Sequence, residues 1–119
     1  MTTLSLTVRE RRAGELASSG EGAEPGWSMT VAVIGELDIA TAPRFTVRMG
    51  ELLSRARDLR EMVMDLSGLT FIDAGGLRAL VELRARLEKQ DAGLVLDGVP
   101  AQMGRLLRIS GPTRRFRTR

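Results

Sequence analysis

Cysteine and histidine are both absent from the 119 residues. Without cysteine there are no disulfides and no thiolate metal sites. Without histidine the commonest general base and the commonest metal ligand are gone. An enzyme built on this chain would have to work with Asp, Glu, Lys or Ser, and the single lysine, Lys89, falls at an exposed helix end. Aromatic residues make up 3% of the chain, so Leu, Val, Ile and Met must fill the core. No apolar run approaches the roughly 20 residues of a membrane-spanning helix. At the N-terminus, Leu4, Leu6 and Val8 alternate with Ser5, Thr7 and Arg9, a strand pattern rather than a signal peptide. The expectation is a cytoplasmic protein that is not an enzyme and carries no cofactor and no metal.

Length and charge narrow the class further. A chain of 119 residues fits one ordinary domain with one core. The net charge is +3, but Arg114, Arg115, Arg117 and Arg119 hold four of the 18 basic residues. Residues 1–113 keep 14 bases against 15 acids, a net of −1. Basic character therefore belongs to the end of the chain, and the expected organisation is a domain over 1–113 followed by a solvated basic tail, 114–119. A nucleic-acid footprint needs a basic face on the folded body with stacking or base-reading groups. The sequence shows neither, so no direct nucleic-acid contact is expected.

Periodicity gives the order of elements. Residues 2–9 read as a strand, and residues 13–26, small, acidic and rich in turn formers, as a flexible loop. From Trp27 to Ile34 both alternating sets are apolar enough for a strand buried on both faces. Gly35-Glu36-Leu37-Asp38 reads as a turn, with Thr41 as the N-cap of a helix and Pro43 inside its first turn. Phe45, Met49, Leu52, Leu53 and Ala56 then share one helical face. Glu61 to Leu66 is a third strand, and a short polar turn follows. A second helix starts at about Gly75 and turns Leu77, Leu80, Val81, Leu83 and Leu87 inward. Leu94 to Leu96 is a short strand. Pro100 opens a last helix with Met103, Leu106 and Leu107 on its apolar side, stopped by Gly111-Pro112, and Phe116 falls in a frayed final strand. The order β-β-α-β-α-β-α-(β) describes an α/β fold with a mixed sheet of about four to five strands.

The segment Leu66 to Leu77 carries the chemistry. Asp73 precedes a helix, where a carboxylate satisfies unpaired N–H groups. Ala74, Gly75 and Gly76 are small enough to let another molecule approach the backbone closely. They are not a nucleotide loop, which needs a lysine or three spaced glycines. Glu36 and Asp38 should lie near Asp73, because both turns follow parallel neighbouring strands at their C-terminal ends, where α/β sheets build their sites. No metal motif fixes the spacing of these three acids. Ser67 and Thr70 are hydroxyls beside the turn, most simply read as turn formers.

Together these pieces resemble the STAS domain of bacterial anti-sigma factor antagonists. The likeness rests on Gly35-Glu36-Leu37-Asp38-Ile39-Ala40-Thr41-Ala42 paired with Val63 to Asp73 and the Gly-Leu helix start, and covers roughly Leu4 to Phe116. The resemblance implies a regulator that binds an anti-sigma factor of the serine-kinase type and so releases a sigma factor. It implies a partner-binding surface at Glu36, Asp38, Thr41, Asp73, Ala74, Gly75, Gly76 and Leu77. The family's Asp-Ser-Ser-Gly-Leu falls on Asp73 to Leu77, which puts Gly75 where the phospho-acceptor serine belongs. The usual switch is then missing, and Ser67 or Thr70 are the alternative acceptors. A STAS component of a lipid or anion transport complex is the other implied role.

Overall fold

The structure is a computed structural model, and it describes residues 3–12, 27–109 and 116–119. The loop expected at 13–26 and the Gly111-Pro112 stop lie outside the described residues. Strands β1 (Leu4–Arg12) and β2 (Trp27–Leu37) pair antiparallel. Helix α1 (Ala42–Arg55) leads to β3 (Leu59–Asp65), and β4 (Leu69–Ile72) follows after three residues. Then come α2 (Ala74–Glu88), β5 (Gly93–Asp97), α3 (Ala101–Ile109) and the two-residue β6 (Arg117–Thr118). All pairings except β1–β2 are parallel. The α/β class and the mixed sheet are as expected, with six strands and three helices.

Strand β4 corrects two expected turns at once. The sheet runs β1-β2-β3-β5-β6, and β4 takes over the edge of β2 where β3 leaves it. β3 pairs with Trp27 to Ala32, and β4 pairs with Gly35 to Leu37. Gly35-Glu36-Leu37 is therefore strand rather than turn. The register shifts between Gly35 and Glu36, leaving Thr70 as an extra residue on β4. Leu69 and Ile72 consequently both point inward while Thr70 and Phe71 point out. Gly35 adopts φ +105°, a region L side chains avoid, and its N–H donates to Gly68 O at 3.0 Å.

One apolar cluster unites the helices with one face of the sheet. Phe45, Met49 and Leu53 of α1 and Leu80, Leu83 and Leu87 of α2 meet Val31, Val33, Met62, Met64 and Leu96. Methionine and leucine do most of the filling, as the shortage of aromatics requires. The opposite face is not buried throughout. Val63 and Val95, side by side there, are buried. Ser28, Thr30 and Ala32 are only half-buried and Ile34 is 48% exposed, so β2 is not buried on both faces. Among the described residues that face carries no helix of the core cluster. Leu106 is also exposed rather than inward, because the i, i+4 pair Met103 and Leu107 carries the contact of α3.

The end of the chain closes the sheet. Phe116 is buried beneath the Arg84 guanidinium, 4.7 Å from its ring centre, a cation–π contact. Arg117 and Thr118 pair with Val95 and Leu96. Arg119 N–H donates to Leu96 O at 2.8 Å, and its guanidinium meets Asp97 at 3.3 Å. The final strand expected around Phe116 is thus present, and Arg117 and Arg119, expected in a solvated tail, lie against the sheet. A buried aromatic outweighs the arginines around it.

Candidate functional site

Two loops at the C-terminal ends of β2 and β4 meet, as the parallel pairing of those strands dictates. The first is the turn Asp38 to Thr41. The Asp38 carboxylate is 6% exposed and accepts from Ala40 N–H (2.9 Å) and Thr41 N–H (3.0 Å). The Thr41 hydroxyl accepts from Asp38 N–H (2.9 Å) and donates to Glu36 O (2.8 Å). Thr41 is therefore the residue before α1 but not a side-chain cap; its hydroxyl closes the turn behind it. Asp38 Oδ1 and the Thr41 hydroxyl are both used inside this loop, and Ile39, at its tip, is 78% exposed.

The second loop is the start of α2. Asp73 is its N-cap, accepting from Gly76 N–H through Oδ1 at 3.0 Å. Its other oxygen, Oδ2, accepts from Ile39 N–H at 3.1 Å. One carboxylate thus caps a helix and ties the two loops together. Gly76 sits against the end of β2. A Cβ there would lie far inside the contact distance of Leu37 O and 2.9 Å from Ile72 Cγ1. Gly75 has more room, since a Cβ would come 3.1 Å from Ile39 Cα and 3.2 Å from Asp73 Oδ1.

The structure therefore sorts the residues expected in the site. Ala74 is exposed, and Gly75 and Asp73 are partly so. Asp38, Thr41, Gly76 and Leu77 are buried, so they shape the surface from beneath. Glu36 lies in β2 opposite Phe71, outside the groove described next. That groove, about 660 Å³, opens between α1 and α2 and is lined by Ile39, Ala42, Pro43, Thr46, Ala74 and Gly75, with Arg78 and Glu82 on its far wall. Sequence reasoning included Ile39 only as part of the Gly35–Thr41 turn and did not assign Pro43 or Thr46 to the site. The available signal was an isoleucine inside a turn otherwise made of polar and small residues.

Ser67 and Thr70 are exposed and lie outside the groove lining. Thr70 Oγ1 donates to Gly35 O at 3.0 Å. Ser67 donates to Asp65 Oδ1 through both its hydroxyl (2.7 Å) and its N–H (3.0 Å). These bonds, the hydroxyl first and the N–H second, hold the Asp65 carboxyl below its ordinary range against a small opposing effect of burial. A depressed folded-state pKa contributes stability above the ordinary carboxylate range and loses it as pH falls through the lowered value. Ser67→Ala is expected to move the Asp65 midpoint upward and to flatten the acid-side loss of stability. Carbon-detected NMR titration of Asp65 checks this, and an unchanged midpoint would assign the shift to the remaining N–H.

With this geometry in hand, comparison with known proteins is decisive. A family model described as "Mlab, STAS domain" matches residues 22–116. The chain belongs to the STAS domain family. An anti-sigma-B factor antagonist of Staphylococcus aureus (strain NCTC 8325 / PS 47) is 32% identical over 83 residues, 68% of this chain and 73% of that one. The STAS fold recurs in an anti-sigma factor antagonist from Mycobacterium paratuberculosis, with a TM-score of 0.67 at 23% identity, covering 96% of this chain and 85% of that one. It also recurs within the murine Solute Carrier 26 family member A9 anion transporter. There the TM-score is 0.67 at 18% identity, covering 93% of this chain but 18% of the transporter. These two likenesses concern the fold alone.

Proposed function

We propose that this STAS protein is a cytoplasmic regulator, not an enzyme. It docks an anti-sigma factor of the serine-kinase type and so releases a sigma factor. The observation that carries the reading is the surface at Ile39, Asp73, Ala74 and Gly75: small, close to the backbone and tied into one unit by Asp73. The likeness to an anti-sigma-B factor antagonist supports it. On this reading Asp38, Thr41, Gly76 and Leu77 support the surface, and Glu36 stands beside it.

Gly75 occupies the family's phospho-acceptor position and offers no hydroxyl. Phosphorylation elsewhere in the family works by placing a charge of about −1.5 to −2 inside a close-packed contact, which brings repulsion and desolvation. Here that switch is missing, and control passes to Ser67 or Thr70 or is absent. The test is a titration of the whole chain against the kinase-type anti-sigma factors of its own cell, followed by incubation with ATP and mass spectrometry. The expected result is micromolar or tighter binding, no phosphate on residues 73–77, and phosphate at position 75 once Gly75→Ser is introduced. The substituted serine needs a shift of only a few tenths of an ångström at Ile39. Absence of binding to every such factor would remove the regulatory reading.

A second reading, a STAS component of a lipid or anion transport complex, draws on the likeness to part of an anion transporter. A permease or transport ATPase encoded beside this chain, in place of a kinase-like ATPase, would favour it.

A further inference from the structure

The groove beside the site is bounded by two features that nothing above explains. The first is an apolar row that starts in the turn before α1 and continues onto α1. Ile39, in the turn, is 78% exposed; Pro43 and Val47 of α1 are exposed too, Val47 at 62%, and stand about 6 Å apart along the helix. The second is a charged row along α2: Arg78, Glu82 and Arg86, again four apart and exposed. Among the described residues the ion pairs of these helices are Arg48–Glu51 and Arg84–Glu88, and none joins the three charges of the row. Between the rows the walls are lined with small side chains, chiefly Ala42, Thr46 and Ala79. Farther along, Gly50 lets the Arg86 guanidinium lie across α1.

Helices α1 and α2 both leave strands that run parallel, so they run the same way. Two such neighbours leave a trough whose natural filler is a third helix at an axial distance of about 8–10 Å. We propose that this groove seats an amphipathic helix of the partner protein. Its apolar anchors would rest on Ile39, Pro43 and Val47, and an acid–base–acid row, one turn apart, would face Arg78, Glu82 and Arg86. The alternation of charge selects the occupant. A strand finds no free sheet edge here, because both walls are helices. An anionic membrane would meet Glu82 at the centre of the row. A second copy of this chain, related by a two-fold axis, would set the row against its own reverse, arginine on arginine and glutamate on glutamate, which opposes association.

The inference rests on the docking reading above, since both use one groove, but it answers to a separate measurement. The probe is a synthetic amphipathic helix of about 15 residues carrying leucine anchors at four-residue steps beside a Glu-Lys-Glu row. It is titrated into the nitrogen-15-labelled whole chain. Saturable shifts at Thr46, Val47 and Glu82 are expected. A peptide with the row inverted to Lys-Glu-Lys should bind about fivefold more weakly, the scale of a few exposed charge pairs. Val47→Glu should weaken the first peptide by at least as much. Equal affinity for both peptides, shifts confined to another face, or shifts that grow with the chain's own concentration in the absence of peptide would overturn the proposal. The same variants separate the two readings in the anti-sigma titration. If the factor binds but Val47→Glu and Glu82→Arg leave its affinity unchanged, the groove proposal fails and the regulatory reading stands. If the peptide experiment succeeds and no factor binds, the outcome is reversed.

Discussion

Gly76→Ala is expected to cost about 3 kcal/mol, a large share of the roughly 5–15 kcal/mol that holds an ordinary domain folded. The reason is contact, not propensity. In a helix interior alanine is favoured over glycine by about 1 kcal/mol. At position 76 the added Cβ would collide with the Leu37 carbonyl, and it would sit 2.9 Å from both Leu37 C and Ile72 Cγ1. Two of those three atoms are backbone of the central strand, and they cannot swing aside. Only separation of α2 from the end of β2 relieves the clash, and that opens the core beneath Leu77 and Leu80. Gly75→Ala, one residue earlier, meets Ile39 Cα at 3.1 Å and Asp73 Oδ1 at 3.2 Å, contacts relieved by a shift of a few tenths of an ångström. It should change stability by no more than about 1 kcal/mol, propensity and crowding nearly offsetting each other. Urea unfolding of the two single variants, followed by circular dichroism, measures the contrast. Equal effects would mean that α2 does not press on β2 as closely as the structure has it.

The same pair of glycines shows what the sequence discloses and what it hides. Small residues after an acid at a helix start are legible as a place of close approach. Which molecule approaches is not: at Gly76 it is this chain's own strand, and only at Gly75 and Ala74 is there room for another. Asp73 was legible as an N-cap because capping is local, a matter of three residues. Its second bond, to Ile39 N–H, joins residues 34 apart and depends on which strands are neighbours. Strand β4 escaped for a related reason. It has four residues, its alternation is broken by the extra Thr70, and its partner Gly35-Glu36-Leu37 has the composition of a turn. At the C-terminus four arginines suggested solvent, while the lone Phe116 decides the matter by burying itself beneath Arg84. The larger elements were plain because their apolar residues repeat over many turns or pleats.

Asp38→Ala should have the second largest effect, about 2–4 kcal/mol, although position 38 faces the site and not the centre of the core. Asp38 is 6% exposed and Thr41 5% exposed. The carboxylate accepts the N–H groups of Ala40 and Thr41, and bonds to a charged acceptor are worth about 1.5–3 kcal/mol each. Alanine leaves both donors without that acceptor in a loop that admits little water, and the loss falls on the turn that holds Ile39 against Asp73. Asp38→Asn keeps one acceptor oxygen in nearly the same place and should cost about 1 kcal/mol, the difference between a charged and a neutral acceptor. Thr41→Val removes the hydroxyl that spans Glu36 O and Asp38 N–H and should fall between the two. Chemical denaturation ranks the three variants. Amide hydrogen exchange at Ile39 adds the local reading, with protection lost in Asp38→Ala and largely kept in Asp38→Asn. If Asn proves as costly as Ala, the negative charge itself stabilises the turn; if Ala costs less than about 1 kcal/mol, the turn is held by its contact with Asp73 and α2 instead. Only the ranking Ala, Val, Asn fits a loop whose buried polar groups serve to present one exposed isoleucine.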